Sequence, residues 1–229
     1  MNIYLVVEGK KSEDKVYPAW VKFINPALEF TRTLDAVKSN AVYIFSGEGY
    51  PAYLNIIKDA AKDMALITDK TTGQSLFHRL VVAIDAEEMT TSDKVSEIMG
   101  CICAVTGGAH DFDCKVIVHD FCLETWFLAN DRLYKNAKQS MTSQFRSHYD
   151  VATLDPEGLF LPLDSRCRTR AQYAFRYLKA SISDRWSKQV YSKRNPGAVL
   201  HEKYFKAVKK RYDETGHIQS IRMLFDAFN

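Results

Sequence analysis

The chain has 229 residues, 46% hydrophobic and 26% charged, with 31 Lys and Arg against 28 Asp and Glu and a formal charge of +3. These values lie near globular averages and exclude collagen-like, disordered and disulfide-scaffold chains, while the length suits one large α/β domain or a domain with an appendage. No apolar run reaches the roughly 18 residues of a membrane span, and Met1-Asn2-Ile3-Tyr4 lacks the basic stretch of a signal peptide. Five cysteines (Cys101, Cys103, Cys114, Cys122, Cys167) form no CxxC pair. The expectation is a cytoplasmic protein with free thiols and no membrane partner.

Strand and helix signals alternate over the first 130 residues. Ile3 to Val7 is a continuous apolar run ending at Glu8-Gly9. Ser12 is placed to cap a helix through Val16, Trp20, Phe23 and Ile24, which recur at helical spacing. A second run, Ala41 to Phe45, ends in the turn Ser46-Gly-Glu-Gly49 and precedes a helical pattern from Tyr50 to about Ile67. Leu80 to Ile84 ends at Asp85-Ala86-Glu87, before a helical stretch from Ser92 to about Val105 that carries Cys101 and Cys103 on a core-facing pattern. A fourth run, Lys115 to Val118, leads through His119-Asp120 into the segment Phe121 to Ala129. Continuously apolar strands joined by helices predict an α/β fold with a parallel sheet of about four strands and right-handed crossovers.

Residues 131–165 are mixed and polar, hold two of the six prolines and read as a connecting region. The remainder, 166–229, reads as a basic helical extension packed on the 1–130 core. From Arg166 to Arg211 there are 14 Lys and Arg against two acids (Asp184, Glu202), a net of +12 that leaves −9 to the other 183 residues. Ala171, Ala174, Leu178 and Ile182 mark one buried helix face; Tyr204, Val208 and Tyr212 mark a second, and Ile218 to Phe228 a third.

Open α/β sheets bind ligands outside the carboxyl ends of their strands. Those ends carry Glu8 with Glu13 five residues on, Asp85 with Glu87 and Glu88, and Glu124. Converging carboxylates repel, and the apolar sequence around them supplies no cation. A hard divalent ion, Mg²⁺ or Mn²⁺, resolves that repulsion with oxygen ligands. Singly, each acid reads equally well as a turn residue or a helix-dipole partner; the set of three strand ends carries the argument. The histidines show no HxxxH or HxH spacing for zinc, and no phosphate-binding Gly-x4-Gly-Lys-Ser/Thr loop is present. The glycines of Ser46-Gly-Glu-Gly49 read as a tight turn, with Glu48 opposing a phosphate cradle.

The string Leu5-Val-Val-Glu8-Gly9-Lys-Lys-Ser12-Glu13 resembles the opening motif of TOPRIM domains, and Val81-Val-Ala-Ile-Asp85-Ala-Glu87 resembles their Asp-x-Asp motif with Glu in the second place. Cys122-Leu-Glu124-Thr-Trp126-Phe-Leu128 is similar to the Phe-Glu-x-Trp-x-Leu stretch of RloB-like and OLD-type TOPRIM nucleases, and Tyr191-Ser-Lys193 with Asn195-Pro-Gly197 resembles a late motif of their smaller members. The resemblance implies a metal-dependent endonuclease acting on DNA or RNA, host tRNA included. It places the chain among toxic effectors of bacterial anti-phage defence controlled by a separate ATPase subunit, and a homodimer is compatible with it.

By the same resemblance Glu8, Glu13, Asp85 and Glu87 hold one metal, Glu124 joins in holding a second, and Glu8 is either a ligand or a general base. Lys193 sets charge beside the scissile phosphate or is a solvated lysine. Arg166, Arg168, Arg170, Lys193 and Arg194 form the expected nucleic-acid patch, although an acidic partner protein accounts for the same charge. The competing readings are a catalytically degenerate TOPRIM module that binds nucleic acid or a partner and, more remotely, a phosphatase with a small substrate.

Overall fold

The run Ile3–Val7 is strand β1, and all five residues are buried, as a strand covered on both faces requires. The computed structural model that shows this describes residues 1–47, 49, 51–135 and 141–229. Helix α1 (Glu13–Ile24) follows, then β2 (Glu29–Thr31), β3 (Ala41–Ser46), α2 (Ala52–Leu66), β4 (Arg79–Asp85), α3 (Thr91–Thr106) and β5 (Asp113–His119). The strands form one parallel sheet in the order β2-β3-β1-β4-β5, with Val7 opposite Ser46 on one side and Ala83 on the other. The chain winds to one side of β1 for β2 and β3 and to the other for β4 and β5.

The sheet thus has one strand more than the sequence predicts. β2 is three residues long, partly exposed and at the edge. It leaves no apolar run to read, and a short edge strand exposes little unpaired backbone. Ser12 occupies the N-cap position of α1 but makes no capping bond; its hydroxyl donates to Glu13 Oε2 at 2.9 Å. Thr90 does cap α3, accepting from the Asp93 N–H at 3.1 Å. Cys103, expected in the core, is exposed on α3, and Cys101 is half-buried; Ile98 and Ile102 form the buried stripe instead.

After the sheet come α4 (Glu124–Leu128), α5 (Met141–His148), α6 (Arg170–Arg185), α7 (Glu202–Thr215) and α8 (Arg222–Phe228). The chain divides into two compact units. The first comprises Met1–Ile84, Thr90–Val118 and Arg222–Asn229; the second comprises Asp85–Met89 and His119–Ile221. In the first, α1 buries Val16, Tyr17, Trp20 and Val21, and α8 closes the unit where Arg79 donates to the Ala227 carbonyl at 2.6 Å.

The second unit has an aromatic core. Phe145 stacks on Tyr177 with centroids 4.9 Å apart, and the hydroxyls of Tyr134 and Tyr204 donate to the Leu128 and Phe127 carbonyls, each at 2.8 Å. Those carbonyls end α4, where helical partners run out, so buried tyrosines satisfy their own hydroxyls and the helix terminus together. Among the described residues no helix is long and apolar enough to cross a membrane.

Candidate active site

In the first unit, β1 delivers Glu8, whose N–H extends the ladder to the Ala83 carbonyl at 3.1 Å. Gly47 follows β3 and donates to the Val7 carbonyl at 2.7 Å; a Cβ there would lie 3.0 Å from both the Glu8 carbonyl oxygen and Tyr53 Cβ. Gly9 answers a similar constraint, since its Cβ would sit 2.7 Å from Glu13 Oε2. The buried Glu13 carboxylate thus folds back against the backbone of the turn at Gly9, and a side chain there would have to displace its tip. Next to it Asp14 accepts from Ser46 Oγ and pairs with Arg32 at 2.9 Å. Glu48, in the glycine turn, and Tyr50, where the second helical pattern was expected to begin, lie outside the described residues.

The second unit holds the other acids. Asp85 ends β4, and its Oδ1 accepts from the Leu123 N–H at 3.0 Å and lies 2.8 Å from His119 Nδ1. His119 is wholly buried, its ring edge-on to Trp126 at 4.6 Å. One carboxylate oxygen is thus fixed by two partners, the arrangement that orients a ligand or a base before it acts. Glu124, the first residue of α4, is 1% exposed; Tyr191 Oη donates to its Oε1 at 3.1 Å and the Lys193 ammonium stands 3.9 Å away. Burial pushes the Cys122 thiol far up, with the negative charges of Glu124 and Asp85 adding to the effect and Lys193 opposing it. Cys122 therefore lies within electrostatic reach of both carboxylates and stays protonated.

The turns after β4 and β5 are strained. Glu87 has φ +56° and Phe121 φ +45°, and the Glu87 N–H donates to the Phe121 carbonyl at 3.1 Å. Left-handed backbone at a bulky residue costs on the order of 1–3 kcal/mol and persists only where its surroundings enforce it. Arg170 is one enforcer: its guanidinium covers the Phe121 ring at 4.5 Å, donates to the Glu87 carbonyl at 3.3 Å and pairs with Glu88 at 3.6 Å.

The apolar sequence around these acids supplies no cation, and the fold brings cations to two of them from elsewhere. Arg170 pairs with Glu88 and Lys193 stands beside Glu124, while His119 contacts Asp85. The cations come from far along the chain, which is why the local sequence lacked them.

Asp85 accepts from the N–H of Leu123, the residue before Glu124, and Lys193 stands 3.9 Å from Glu124; Glu87 follows Asp85 by two residues but is exposed. Arg166, Arg168 and Arg194 are exposed, whereas Arg170 is half-buried and committed to the Glu87 loop. Arg211, counted in the basic run, is buried and donates to the carbonyls of Ala152 and Leu154, so it is structural. His119 has no second histidine at metal-pair spacing. Its signal was its place at the end of the fourth apolar run, beside the strand that ends in Asp85.

The oxygen donors suit a hard divalent cation in kind. In number they fall short within either unit, for among the described residues no group of three or more His, Cys, Asp or Glu is gathered to hold an ion. Comparison with family models, curated proteins and solved structures returned no match to this chain.

Proposed function

We propose that the chain is a divalent-metal-dependent nuclease of TOPRIM type that hydrolyses phosphodiester bonds of DNA or RNA. The observation that carries this reading is Asp85: a carboxylate at a strand end, held through one oxygen by a buried histidine and by the N–H of Leu123, the residue before the buried Glu124. The motif resemblance assigns Glu8, Glu13, Asp85 and Glu87 to one Mg²⁺ or Mn²⁺, and Glu124 to a second. A bound cation there supplies Lewis acidity and lowers the pKa of a water toward neutrality.

The chain's own groups do the rest. His119 keeps Asp85 oriented, Tyr191 fixes Glu124, and the Lys193 ammonium offers charge to the oxygen that gains it as the phosphodiester breaks. Exposed Arg166, Arg168 and Arg194 bind the phosphate backbone, whose neutralisation dominates sequence-independent affinity for nucleic acid. A role as a toxic anti-phage effector governed by a partner ATPase follows from the same resemblance and belongs to the proposal.

A second reading is favoured by the absence of a three-residue ligand group among the described residues and by the cations beside the acids. Here the fold is a catalytically degenerate module that binds nucleic acid or a partner.

Cleavage of plasmid, single-stranded DNA and bulk tRNA by the purified chain, with Mg²⁺, Mn²⁺ or EDTA, separates the two. The nuclease reading expects cutting that needs metal and disappears in a Glu8→Ala, Asp85→Ala double variant. Cutting that survives EDTA, or survives the double variant, counts against it.

A further inference from the structure

A pocket of about 350 Å³ opens in the second unit, lined by neither Asp85 nor Glu124 and by none of the side chains that hold them. That volume lies within the range of small-molecule sites, roughly 300–1,000 Å³. Its walls bring Arg132, Arg185 and Lys203 together with the indole of Trp186, the amide of Gln189 and the imidazole of His201. Among the described residues, no acid lines it.

The acids next to these residues in sequence are turned elsewhere. Asp131 pairs with Lys135 at 3.2 Å and Glu202 with Lys206 at 2.7 Å, while Asp184 accepts the Thr142 N–H at 2.9 Å. Arg185 is steadied by a bond from Nε to the Arg132 carbonyl at 3.0 Å, which uses one of its five donors. No ion pair among the described residues engages Arg132, Arg185 or Lys203. Trp186 is half-buried, backed by the Tyr204 ring with centroids 6.4 Å apart. Three cations without carboxylates around a partly open aromatic face suit a ligand that has both a flat ring and a phosphate.

We propose that this pocket binds one unpaired nucleotide, its base stacked on Trp186 and its phosphate held by Arg132, Arg185 and Lys203. Gln189 offers a donor and an acceptor to the base edge. A base within a duplex keeps its faces stacked on its neighbours, so the site selects single-stranded or looped nucleic acid, or a free nucleotide. This deepens the nucleic-acid reading above and names the substrate form, while resting on different residues.

Tryptophan fluorescence tests it directly. Of the three tryptophans, Trp20 and Trp126 are each 1% exposed, so a ligand reaches Trp186 alone. The intact chain is titrated in EDTA, where nothing is cut, with a mononucleotide, a single-stranded oligonucleotide and a hairpin-free duplex. Quenching by the single strand and not by the duplex is expected; quenching by the mononucleotide alone identifies a free nucleotide as the occupant.

Trp186→Ala should weaken single-strand binding about ten-fold, and Trp186→Phe should retain it. Arg185→Gln should flatten the slope of log affinity against log salt by about 0.7, the signature of one lost phosphate contact on a single strand. Those two milder variants keep the test decisive if the alanine variant does not fold. Unchanged emission with every nucleotide, or equal single-strand affinity and salt slope in Arg185→Gln, overturns the pocket. A chain that cuts nucleic acid but shows no quenching loses the pocket and keeps the nuclease. A chain that binds at Trp186 but cuts nucleic acid in neither Mg²⁺ nor Mn²⁺ loses the nuclease and keeps the pocket.

Discussion

The two units bury their cores by different means. The first stacks aliphatic strands: Ile3, Leu5 and Val7 of β1 and Leu80 to Ile84 of β4 are all at most 1% exposed, and their polar backbone is consumed by the ladder. The second contains no strand from Asp120 to Ile221 among its described residues; it packs phenylalanines against tyrosines whose hydroxyls reach backbone carbonyls, and it buries Glu124, His119 and Arg211, as the first unit buries Glu13 and Lys94. Burial of a charge is tolerated only with partners, and in the second unit those partners hold the candidate-site acids, Tyr191 at Glu124 and His119 at Asp85. A hydrogen-bonded sheet gives rigidity, and an aromatic, polar interior gives chemistry.

The largest effect should come from breaking the aliphatic side of this contrast. Leu5→Ala empties a fully buried position of β1 in the first unit and should cost about 2–5 kcal/mol, read by chemical denaturation. On the other side, Glu124→Gln keeps the shape and loses the charge. Cleavage should fall at least about 100-fold, since even residues that only orient a metal ligand are worth about 10–100-fold. The fold should survive, because the Tyr191 hydroxyl can still donate to the amide oxygen.

A pH effect of intermediate size sharpens the comparison. Burial pushes the Glu157 carboxyl up to about 7 from an ordinary 4.5, outweighing the Ser220 hydroxyl and N–H that donate to it. The unfolded chain releases that proton near 4.5 and the folded one near 7. Stability present at low pH should therefore decline as pH rises between those values, and Glu157→Gln should flatten the decline in denaturation midpoints. Least costly is Arg170→Ala, which removes a half-exposed ion pair and a cation–π contact. We expect a loss of about 1 kcal/mol or less, with larger changes in the exposed Glu87 loop seen by hydrogen exchange.

Elements built on continuous apolar runs were legible in the sequence: β1, β3, β4 and β5 coincide with the runs at Ile3, Ala41, Leu80 and Lys115, and α6 with the stripe through Ala174, Leu178 and Ile182. β2 was not, because three half-exposed residues at a sheet edge carry no periodic signal. α5 arose within the stretch read as a connector, its burial reduced to Thr142, which Asp184 holds from 42 residues away. The acids of the candidate site were visible as strand-end residues. Their companions were not, since His119 lies 34 residues from Asp85, Tyr191 67 from Glu124, and Arg170 83 from Glu87. Side-chain partners chosen by tertiary packing leave no mark at fixed sequence spacing.

Isothermal titration of Mn²⁺ into the intact chain, beside an Asp85→Asn variant and His119→Ala, tests the central claim most directly. The nuclease account predicts saturable binding by the native chain, binding abolished in Asp85→Asn, and affinity lowered about 10–100-fold in His119→Ala through loss of the orienting contact. No saturable heat from the native chain, or equal heat from all three, would contradict it.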